Sequence, residues 1–334
     1  KNMQLECIIM AGGKGSRLYP LTQNTPKPLL PVNNIPNIVK ILAEVNRCKI
    51  KKAVITTGYL GDELKKNIGS SIYDVEIKYA HEENPLGSAG GVKNASKYTS
   101  GDLLVISGDA VFEGDLSDMI KRHYETSADL TIACTEVEDT SRFGVLVTES
   151  SGRVVRFCEK PSEGECDSRL VNIGIYIISR RIIEDLPEDT KLDFSLDVFP
   201  KLLKNKKVMA WKSDAYWCDM GTLSSYLECN MRYSKGENII GKNCNISPDA
   251  KISGSIIFDG VTVEANACIC DAVICKDAHI GNGAGVARGS VIGENCSVSA
   301  SEVVSPDSLN ITRVADQEIM RNDMPHSFTM TITE

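Results

Sequence analysis

Short apolar runs alternate with amphipathic stretches over the first 235 or so residues. The apolar runs "LECIIMAG", "KAVITTGY", "VEIKYAH", "DLLVISGDA" and "ADLTIACTEV" are typical of strands, while "NIVKILAEVNRCK", "GDELKKNIG", "AGGVKNASKY" and "LSDMIKRHYET" have helical periodicity. This alternation predicts an α/β fold, with a mostly parallel sheet covered by helices on both faces. Ligands of such sheets bind beyond the carboxyl ends of the strands, which is where Gly12 and Asp109 fall.

A different pattern begins near residue 236. The segment "NIIGKN CNISPDA KISGS IIFDG VTVEAN ACICDA VICKDA HIGNGA GVARGS VIGEN CSVSAS" repeats an aliphatic residue followed by small or turn-forming residues, every five to seven positions. Ordinary hairpins would not keep a period of about six residues over some sixty residues, so the pattern predicts a parallel β-helix of hexapeptide repeats. We therefore predict a catalytic domain over 1–235, a β-helix over 236–303, and a cap or irregular tail over 304–334. Because the stacked coils need their open end sealed, we also expect a homo-oligomer through the β-helix.

The charge balance narrows the choice of partners. The 334 residues are 42% hydrophobic and 25% charged, with a net charge of −8. No cluster of lysine or arginine forms a stripe, which argues against a nucleic-acid or anionic-membrane surface but leaves room for a small anion held by a few cations. The first apolar run is too short for a signal peptide or a membrane span, so we expect a cytoplasmic protein.

Twelve cysteines are scattered through strand-like runs rather than spaced as a disulfide framework. The closest group is Cys268, Cys270 and Cys275, but no second pair follows at the spacing that a zinc site uses. We predict reduced thiols and assign no metal to cysteine.

The stretch "IIMAGGKGSRLYPLTQNTPKPLLPV", residues 8–32, carries the first chemical indication. Gly12, Gly13 and Gly15 follow a strand, so their backbone amides can approach a polyphosphate without Cβ interference. Neither a GxGxxG motif nor a Walker lysine is present. Two cations follow instead, Arg17 and Lys27, the second fixed between two prolines. This combination predicts a site for a nucleoside triphosphate.

The same stretch resembles the signature of the sugar-nucleotide pyrophosphorylases, a nucleotidyltransferase family. Further similar segments, in the family's order, are "EENPLGSAGGVKN", "LLVISGDAV", "FGVL", "FCEKP", "VNIGIYI", "LDFSLDVFP" and "YWCDMGT", so the resemblance covers nearly the whole chain. "PLGSAGGVKN" and "YWCDMG" are most similar to mannose-1-phosphate guanylyltransferases, including forms fused to a phosphomannomutase-like domain. The resemblance implies a Rossmann-like sheet followed by a left-handed β-helix.

The implied reaction transfers a nucleotidyl group from a triphosphate, preferably GTP, to a sugar 1-phosphate, preferably mannose 1-phosphate, and releases pyrophosphate. Arg17 and Lys27 would offset the charge at the α-phosphorus and on the leaving group. Magnesium needs hard oxygen ligands, and Asp109 in "SGDA" and Asp219 in "WCDMG" are the implied metal ligands. Ser107 replaces the asparagine that the family usually has two positions before the first aspartate.

Other contacts are implied only by the resemblance. Lys160 would bind the sugar phosphate and Glu159 a sugar hydroxyl. The remaining implied sugar-phosphate residues are Gly144, Asn172 and Gly174, and the further implied nucleotide residues are Gly87 and Glu82. Glu82 would face the base, and a carboxylate accepts from the two donors of the guanine edge, whereas uracil and thymine present one donor between two acceptors.

Three alternatives stay open. The base and sugar could be those of a glucose-1-phosphate uridylyl- or thymidylyltransferase, or the chain could be a catalytically inactive regulatory subunit of the same fold. A hexapeptide acyltransferase would need a histidine in a coil groove, and His279 is the candidate. The four histidines form no triad with a serine in an elbow motif, which disfavours acyl transfer by that route.

Overall fold

The computed structural model describes residues 5–305, so most of the predicted tail, from residue 306 on, lies outside the described residues. The chain divides into two compact units. Of the described residues, the first unit comprises 5–14, 27–29 and 37–218, and the second comprises 15–26, 30–36 and 219–305. None of the helices between residues 5 and 305 is both long enough and apolar enough to cross a membrane.

The helices and strands follow the predicted alternation as far as residue 234. The α-helices are α1 (Asn37–Arg47), α2 (Gly61–Ile68), α3 (Gly87–Ala95), α4 (Ser117–Thr126), α5 (Arg180–Glu184), α6 (Phe199–Leu202) and α7 (Leu223–Ser234). Short 3₁₀ turns cover Ser16–Leu18, Lys27–Leu29 and Ser96–Tyr98, and a π-helical turn covers Phe194–Val198. The strands up to residue 219 are β1 (Leu5–Met10), β2 (Pro31–Val32), β3 (Ile35–Pro36), β4 (Lys52–Thr57), β5 (Ser71–Ile72), β6 (Val75–His81), β7 (Asp102–Ser107), β8 (Ala110–Phe112), β9 (Leu130–Glu136), β10 (Gly144–Thr148), β11 (Val154–Glu159), β12 (Leu170–Ile178), β13 (Val208–Lys212) and β14 (Trp217–Asp219).

The main sheet lies in the first unit, in the order β11-β10-β12-β7-β1-β4-β6-β5. Strands β7, β1, β4 and β6 pair in parallel, whereas β12 runs antiparallel to β7, β9 and β10. Strand β9 in turn pairs in parallel with β13. The sheet is therefore parallel where β1 and β7 end, and it becomes mixed on the side of β12.

Helices cover both faces of this sheet, as the sequence predicts. Alternation along β1 sends Cys7 and Ile9 to one hydrophobic cluster and Ile8 to the other, and all three side chains are fully buried. Residues of α1, α2 and α4 complete the first cluster, while residues of α3, α5 and α6 complete the second. Burial on both faces explains why these strands are continuously apolar rather than alternating.

The β-helix lies in the second unit. Its strands are β15 (Ile239–Ile240), β16 (Asn245–Ile246), β17 (Lys251–Ser253), β18 (Ile256–Ile257), β19 (Thr262–Val263), β20 (Cys268–Cys270), β21 (Val273–Ile274), β22 (His279–Ile280), β23 (Gly285–Val286), β24 (Val291–Ile292), β25 (Ser297–Val298) and β26 (Val303–Val304). They form three four-stranded parallel sheets. The structure thus confirms the parallel β-helix, in the three-sided arrangement that a left-handed β-helix has.

The geometry of the coils explains the six-residue repeat in the sequence. Ile239 pairs with Ile256, 17 positions on, and Val273 pairs with Val291, 18 positions on, so three short repeats make one turn. Ile257, Ile274 and Ile292 stack in the interior of the coil. Each repeat therefore supplies one side of the coil and one or two aliphatic residues to its core.

Candidate active site

The glycine loop follows β1 at the carboxyl end of the parallel strands. The Ala11 amide donates to Thr56 Oγ1 at the end of β4 (3.0 Å), which fixes where the loop begins. A Cβ on Gly58 would lie 2.8 Å from the Gly12 carbonyl oxygen, so the neighbouring loop approaches closely at this point. A Cβ on Gly13 would meet nothing within 4 Å. Gly13 therefore presents bare backbone outward, as a phosphate-binding loop requires.

The next part of the loop belongs to the second unit. Gly15 has a positive φ of 65° and its carbonyl accepts from the Leu18 amide (2.9 Å) and from Thr22 Oγ1 (2.9 Å). Leu18 is buried and Arg17 is exposed, so the turn is anchored by its apolar residue and presents its cation. This local order explains why a glycine stands at position 15.

Arg17 has an acidic neighbour within the second unit. A Cβ placed on Gly221 would lie 2.7 Å from Asp219 Oδ2 and 3.2 Å from Arg17 Nη2. The carboxylate and the guanidinium therefore flank the same glycine, and only a residue without a side chain leaves both groups undisturbed. The structure brings these two predicted site residues together.

The second predicted cation and the second predicted metal ligand form an ion pair in the first unit. Lys27 is only 7% exposed, and its Nζ lies 2.9 Å from Asp109 Oδ2. Ser107 Oγ donates to the other carboxylate oxygen of Asp109 (2.5 Å). The Gly108 amide donates to the Met10 carbonyl (2.8 Å), where a Cβ would not fit. Asp109 therefore sits on a tightly held turn at the end of β7.

These groups fit a magnesium ion of the kind that substrate phosphates help to bind. Among residues 5–305, no three side chains of histidine, cysteine, aspartate or glutamate lie close enough together to form a metal cage. Asp109 offers hard oxygen atoms on a side chain that is 44% exposed. Magnesium typically takes one or two carboxylates and completes its octahedron with phosphates and water. Asp109 and Asp219 stay the predicted ligands.

Glu82 has a structural role that the sequence did not indicate. Its Oε2 accepts from the Leu86 amide (3.1 Å), and this hydrogen bond within the "EENPL" loop stabilises the conformation of the loop. Its Oε1 lies on the Gly12 side, 3.4 Å from where a Cβ of that glycine would be. Burial raises the pKa of Glu82, and the Leu86 amide and the charge of His81 counteract part of that rise. One of the two acceptor positions of Oε2 is thus used by the loop, and the role of the carboxylate towards the base stays a prediction.

The glycines of "GSAGG" are explained by packing against the segment after α5. The Leu192 carbonyl accepts from the Ala89 and Gly90 amides (3.0 and 3.2 Å), so the first turn of α3 already has a partner for these donors. Gly87 has a φ of 74°, and a Cβ there would collide with the same carbonyl. Gly87 is therefore required by this packing, and its contact with a nucleotide stays a prediction.

The segment after α5 contains the motif "LDFSLDVFP", for which no role was predicted from the sequence. Asp193 accepts from Ser88 Oγ (2.9 Å) with one oxygen and from the Ser195 amide (2.8 Å) with the other. The Phe194 amide donates back to Ser88 Oγ (2.9 Å). These bonds join α3 to the π-helical turn, and only the resemblance of the motif drew attention to them.

The predicted sugar-phosphate residues fall in two places in the first unit. Gly144 and Glu159 are paired across β10 and β11, and a Cβ on Gly144 would lie 2.9 Å from Glu159 Oε2. Lys160 has a positive φ of 47° and its ammonium lies 3.8 Å from Glu159 Oε1. The side chain of Lys160 is 66% exposed, so the cation is available to an anion from solvent.

Asn172 and Gly174 shape an irregularity in β12. Asn172 Oδ1 accepts from the Gly174 amide (2.9 Å), and its Nδ2 donates to the Tyr176 hydroxyl (2.8 Å). The register of β12 against β9 shifts at this point, and Gly174 has a φ of 77°. A Cβ on Gly174 would lie 2.8 Å from Ser107 Cβ. The irregularity therefore lies beside the turn of Asp109, and a contact with the sugar stays a prediction.

His279, the candidate for acyl transfer, and the cysteines, the candidates for a zinc site, are not arranged as such sites in the described residues. His279 Nε2 lies 3.0 Å from Glu264 Oε1 on the outside of the coil, and both side chains are partly exposed. All twelve cysteines are free thiols, as the sequence predicts. Cys268 and Cys270 are exposed whereas Cys275 is buried, so these three thiols do not converge on one point.

The chain is similar to known proteins over most of its length. Residues 6–236 match the family model described as Nucleotidyl transferase, and residues 235–322 match the model described as GMPPB C-terminal domain. The mannose-1-phosphate guanylyltransferase of Mycobacterium tuberculosis is 30% identical over 300 residues, which cover 80% of this chain and 83% of that protein. Glucose-1-phosphate adenylyltransferase 2 of Alkalilimnicola ehrlichii is 29% identical over 374 residues, covering 90% of this chain and 88% of that protein.

A solved structure resembles the fold. It belongs to a Bacillus anthracis protein assigned as a glucose-1-phosphate thymidylyltransferase, in complex with sucrose. The TM-score is 0.63 at 27% identity, and the match covers 68% of this chain and 94% of that chain. The similar proteins thus share nucleotidyl transfer to a sugar phosphate in their names but differ in the base.

Proposed function

This chain belongs to the nucleotidyl transferase family, and from that premise we propose that it transfers a guanylyl group from GTP to mannose 1-phosphate and releases pyrophosphate. Nucleotidyl transfer to a sugar phosphate is the activity of the family. The observation that carries the proposal is a cation beside a carboxylate in each unit, Lys27 with Asp109 in the first and Arg17 with Asp219 in the second. The cations can offset phosphate charge and the carboxylates can bind a magnesium ion that does the same, which is the main requirement of the reaction.

The chemistry needs no nucleophilic side chain. A phosphate oxygen of the sugar 1-phosphate attacks the α-phosphorus. The bond between the α-phosphorus and the oxygen that bridges it to the β-phosphate breaks, and the electron pair of that bond leaves with pyrophosphate. Lys27 and Arg17 offset the charge that develops during this displacement, and Gly13 offers its backbone amide to the phosphate chain. When bound, magnesium would be held by Asp109 and Asp219 and would supply further neutralisation of the phosphates.

Preorganisation of the cations supports the same function. Lys27 is buried and already fixed by Asp109, so its charge does not have to be ordered when the substrate binds. Lys160 is exposed instead, as suits a residue that captures the sugar phosphate from solvent. In this proposal, the buried cation serves the chemical step and the exposed cation serves substrate capture.

The guanine preference rests on Glu82 and on the guanylyltransferase relative. A partly buried carboxylate accepts from the two donors of guanine and is repelled by the acceptors of uracil and thymine. A glucose-1-phosphate uridylyl- or thymidylyltransferase is the second candidate. The four charged residues that the reaction would use are all present, which favours an active enzyme over a regulatory subunit; they are Arg17, Lys27, Asp109 and Asp219. The homo-oligomer through the β-helix and the cytoplasmic location stay proposals from the sequence.

The test is a screen of pyrophosphate release with magnesium, in which GTP, UTP, dTTP and ATP are each combined with mannose, glucose and N-acetylglucosamine 1-phosphates. We expect the fastest release with GTP and mannose 1-phosphate. A preference for another triphosphate would overturn the guanylyl proposal and leave the family activity in place. Absence of release with every pair would favour the regulatory subunit.

We predict that Glu82→Gln lowers the preference for GTP over UTP and dTTP by roughly tenfold to hundredfold, because an amide cannot accept from both guanine donors. The glutamine keeps a carbonyl oxygen that accepts from the Leu86 amide, so the loop itself is preserved. Competition between triphosphates, read as the ratio of kcat/KM values, measures the preference. Glu83→Gln, at an exposed neighbouring position, is the matched control and should leave the ranking intact. An unchanged ranking in Glu82→Gln would remove Glu82 from base recognition.

A further inference from the structure

Asn37 bridges the two sides of the turn that carries Asp109. It is the first residue of α1 and is 1% exposed. Its Nδ2 donates to the Gly108 carbonyl (3.2 Å) and to the Ala110 carbonyl (2.9 Å). These carbonyls belong to the residues immediately before and after Asp109, so one amide group holds the backbone on both sides of the carboxylate.

An apolar side chain would suit this position better on packing grounds alone. The helix face that Asn37 shares is aliphatic, with Ile38, Ile41 and Leu42 all buried. Within the described residues, Asn37 Oδ1 has no hydrogen-bond partner, and burying such an acceptor is unfavourable. The two donated bonds are what the asparagine contributes in return, and they are directed only at the turn.

Other contacts fix the side chain of Asp109 and part of the backbone around it. Lys27 holds one carboxylate oxygen and Ser107 the other. On the backbone, the Gly108 amide is bonded to the Met10 carbonyl, and the carbonyls of Gly108 and Ala110 both accept from Asn37. Loss of the Asn37 donors would leave two buried or partly buried carbonyls without this partner and would let the turn reorient.

We propose that Asn37 is a positioning residue that sets the direction of the Asp109 carboxylate by fixing the Gly108–Ala110 turn. This rests on the proposed function, in which Asp109 is a ligand of the magnesium ion. Residues that orient a metal ligand typically change metal affinity or activity by about 10- to 100-fold when replaced. Asn37 would act in this way from α1, a helix on which no substrate-binding residue is predicted.

The test uses Asn37→Leu, which keeps the shape and removes both donors, and Asn37→Asp, which places acceptors against the two carbonyls. We expect faster hydrogen exchange of the amides in residues 108–112 in both variants. We also expect roughly tenfold weaker binding of Mn²⁺, titrated by electron paramagnetic resonance together with the triphosphate that the wild type uses. In turnover, kcat should fall while the KM of the sugar phosphate stays unchanged, since Lys160 and Glu159 are untouched.

Thr131→Val is the matched control, because it removes a buried hydrogen bond, Thr131 Oγ1 to His123 Nδ1 (2.8 Å), elsewhere in the same unit. It should lower the melting temperature without changing Mn²⁺ affinity or exchange at residues 108–112. Wild-type exchange and Mn²⁺ affinity in Asn37→Leu would overturn the proposal, as would equal losses in the control. If the wild type transfers no nucleotide, the proposed function has failed, and the exchange measurement, which needs no substrate, still decides the role of Asn37.

Discussion

Asp109→Asn is expected to lower kcat by about 10²-fold or more while the protein stays folded. The substitution removes the negative charge that a magnesium ion requires and keeps the size of the side chain, so Ser107 still has an acceptor. Pyrophosphate release at saturating substrates measures the effect, and thermal denaturation checks the fold. Asp219→Asn should give a loss of similar size, because each aspartate is one of the two predicted ligands.

Lys27 complicates the interpretation, because Asp109→Asn also deprives a 7% exposed ammonium of its carboxylate. Lys27→Met separates the two effects. If Asp109 binds metal, the apparent affinity for magnesium should fall in Asp109→Asn and change much less in Lys27→Met. Asp74→Asn serves as the control, since its carboxylate is 80% exposed and pairs with Lys51 at the surface. Near-normal kcat together with an unchanged apparent affinity for magnesium in Asp109→Asn would remove Asp109 from the metal site.

The periodic part of the fold was predictable from the sequence for a physical reason. Strand β1 is buried on both faces, so it reads as a continuous apolar run, and α1 buries one face, so it reads with helical spacing. Each coil of the β-helix has three sides and takes 17 or 18 residues, so the sequence repeats about every six residues. Periodicity is a local property of the chain, and local properties can be read without coordinates.

Many of the hydrogen bonds that hold the site residues in position were not predictable, because they are single contacts between residues that are far apart in the sequence. Asn37 reaches Gly108 over 71 positions, and Ser88 reaches Asp193 over 105. Such bonds have no period, and an asparagine at the start of a helix is equally typical of a cap. The motifs identified the groups that face the ligand, but they did not identify what holds those groups in place.

The grouping of the loop that carries Arg17 was not predicted either. The sequence suggested one domain over 1–235, a boundary that stays a prediction, whereas the compact unit that contains the coil also includes residues 15–26 and 30–36. Asn24 Nδ2 donates to Glu294 Oε2 on the coil (3.0 Å), and the Tyr226 hydroxyl of α7 donates to the Pro31 carbonyl (2.6 Å). The β-helix thus supports the segment on which Arg17 lies, in addition to any role in assembly.

Arg17→Ala is expected to lower kcat and kcat/KM together, by about 10²-fold, with little change in the KM of the triphosphate. The reason is that Arg17 is exposed on an anchored turn beside Asp219, where its charge is available to a phosphate group that gains charge during the displacement. Steady-state kinetics with each substrate varied in turn, at saturating magnesium, separate kcat from KM.

Two further variants make the result for Arg17 specific. Arg17→Lys keeps the charge but loses the planar fork of the guanidinium, so it should recover only part of the lost kcat if Arg17 acts through paired hydrogen bonds. Arg288→Ala removes an arginine of the same unit that is 85% exposed and pairs with Asp271 on the coil, and it should behave as the wild type. A rise in KM alone for Arg17→Ala would make Arg17 a residue of ground-state binding, because a group that stabilises only the transition state must change kcat. The charge stabilisation would then have to come from Lys27 and the metal ion.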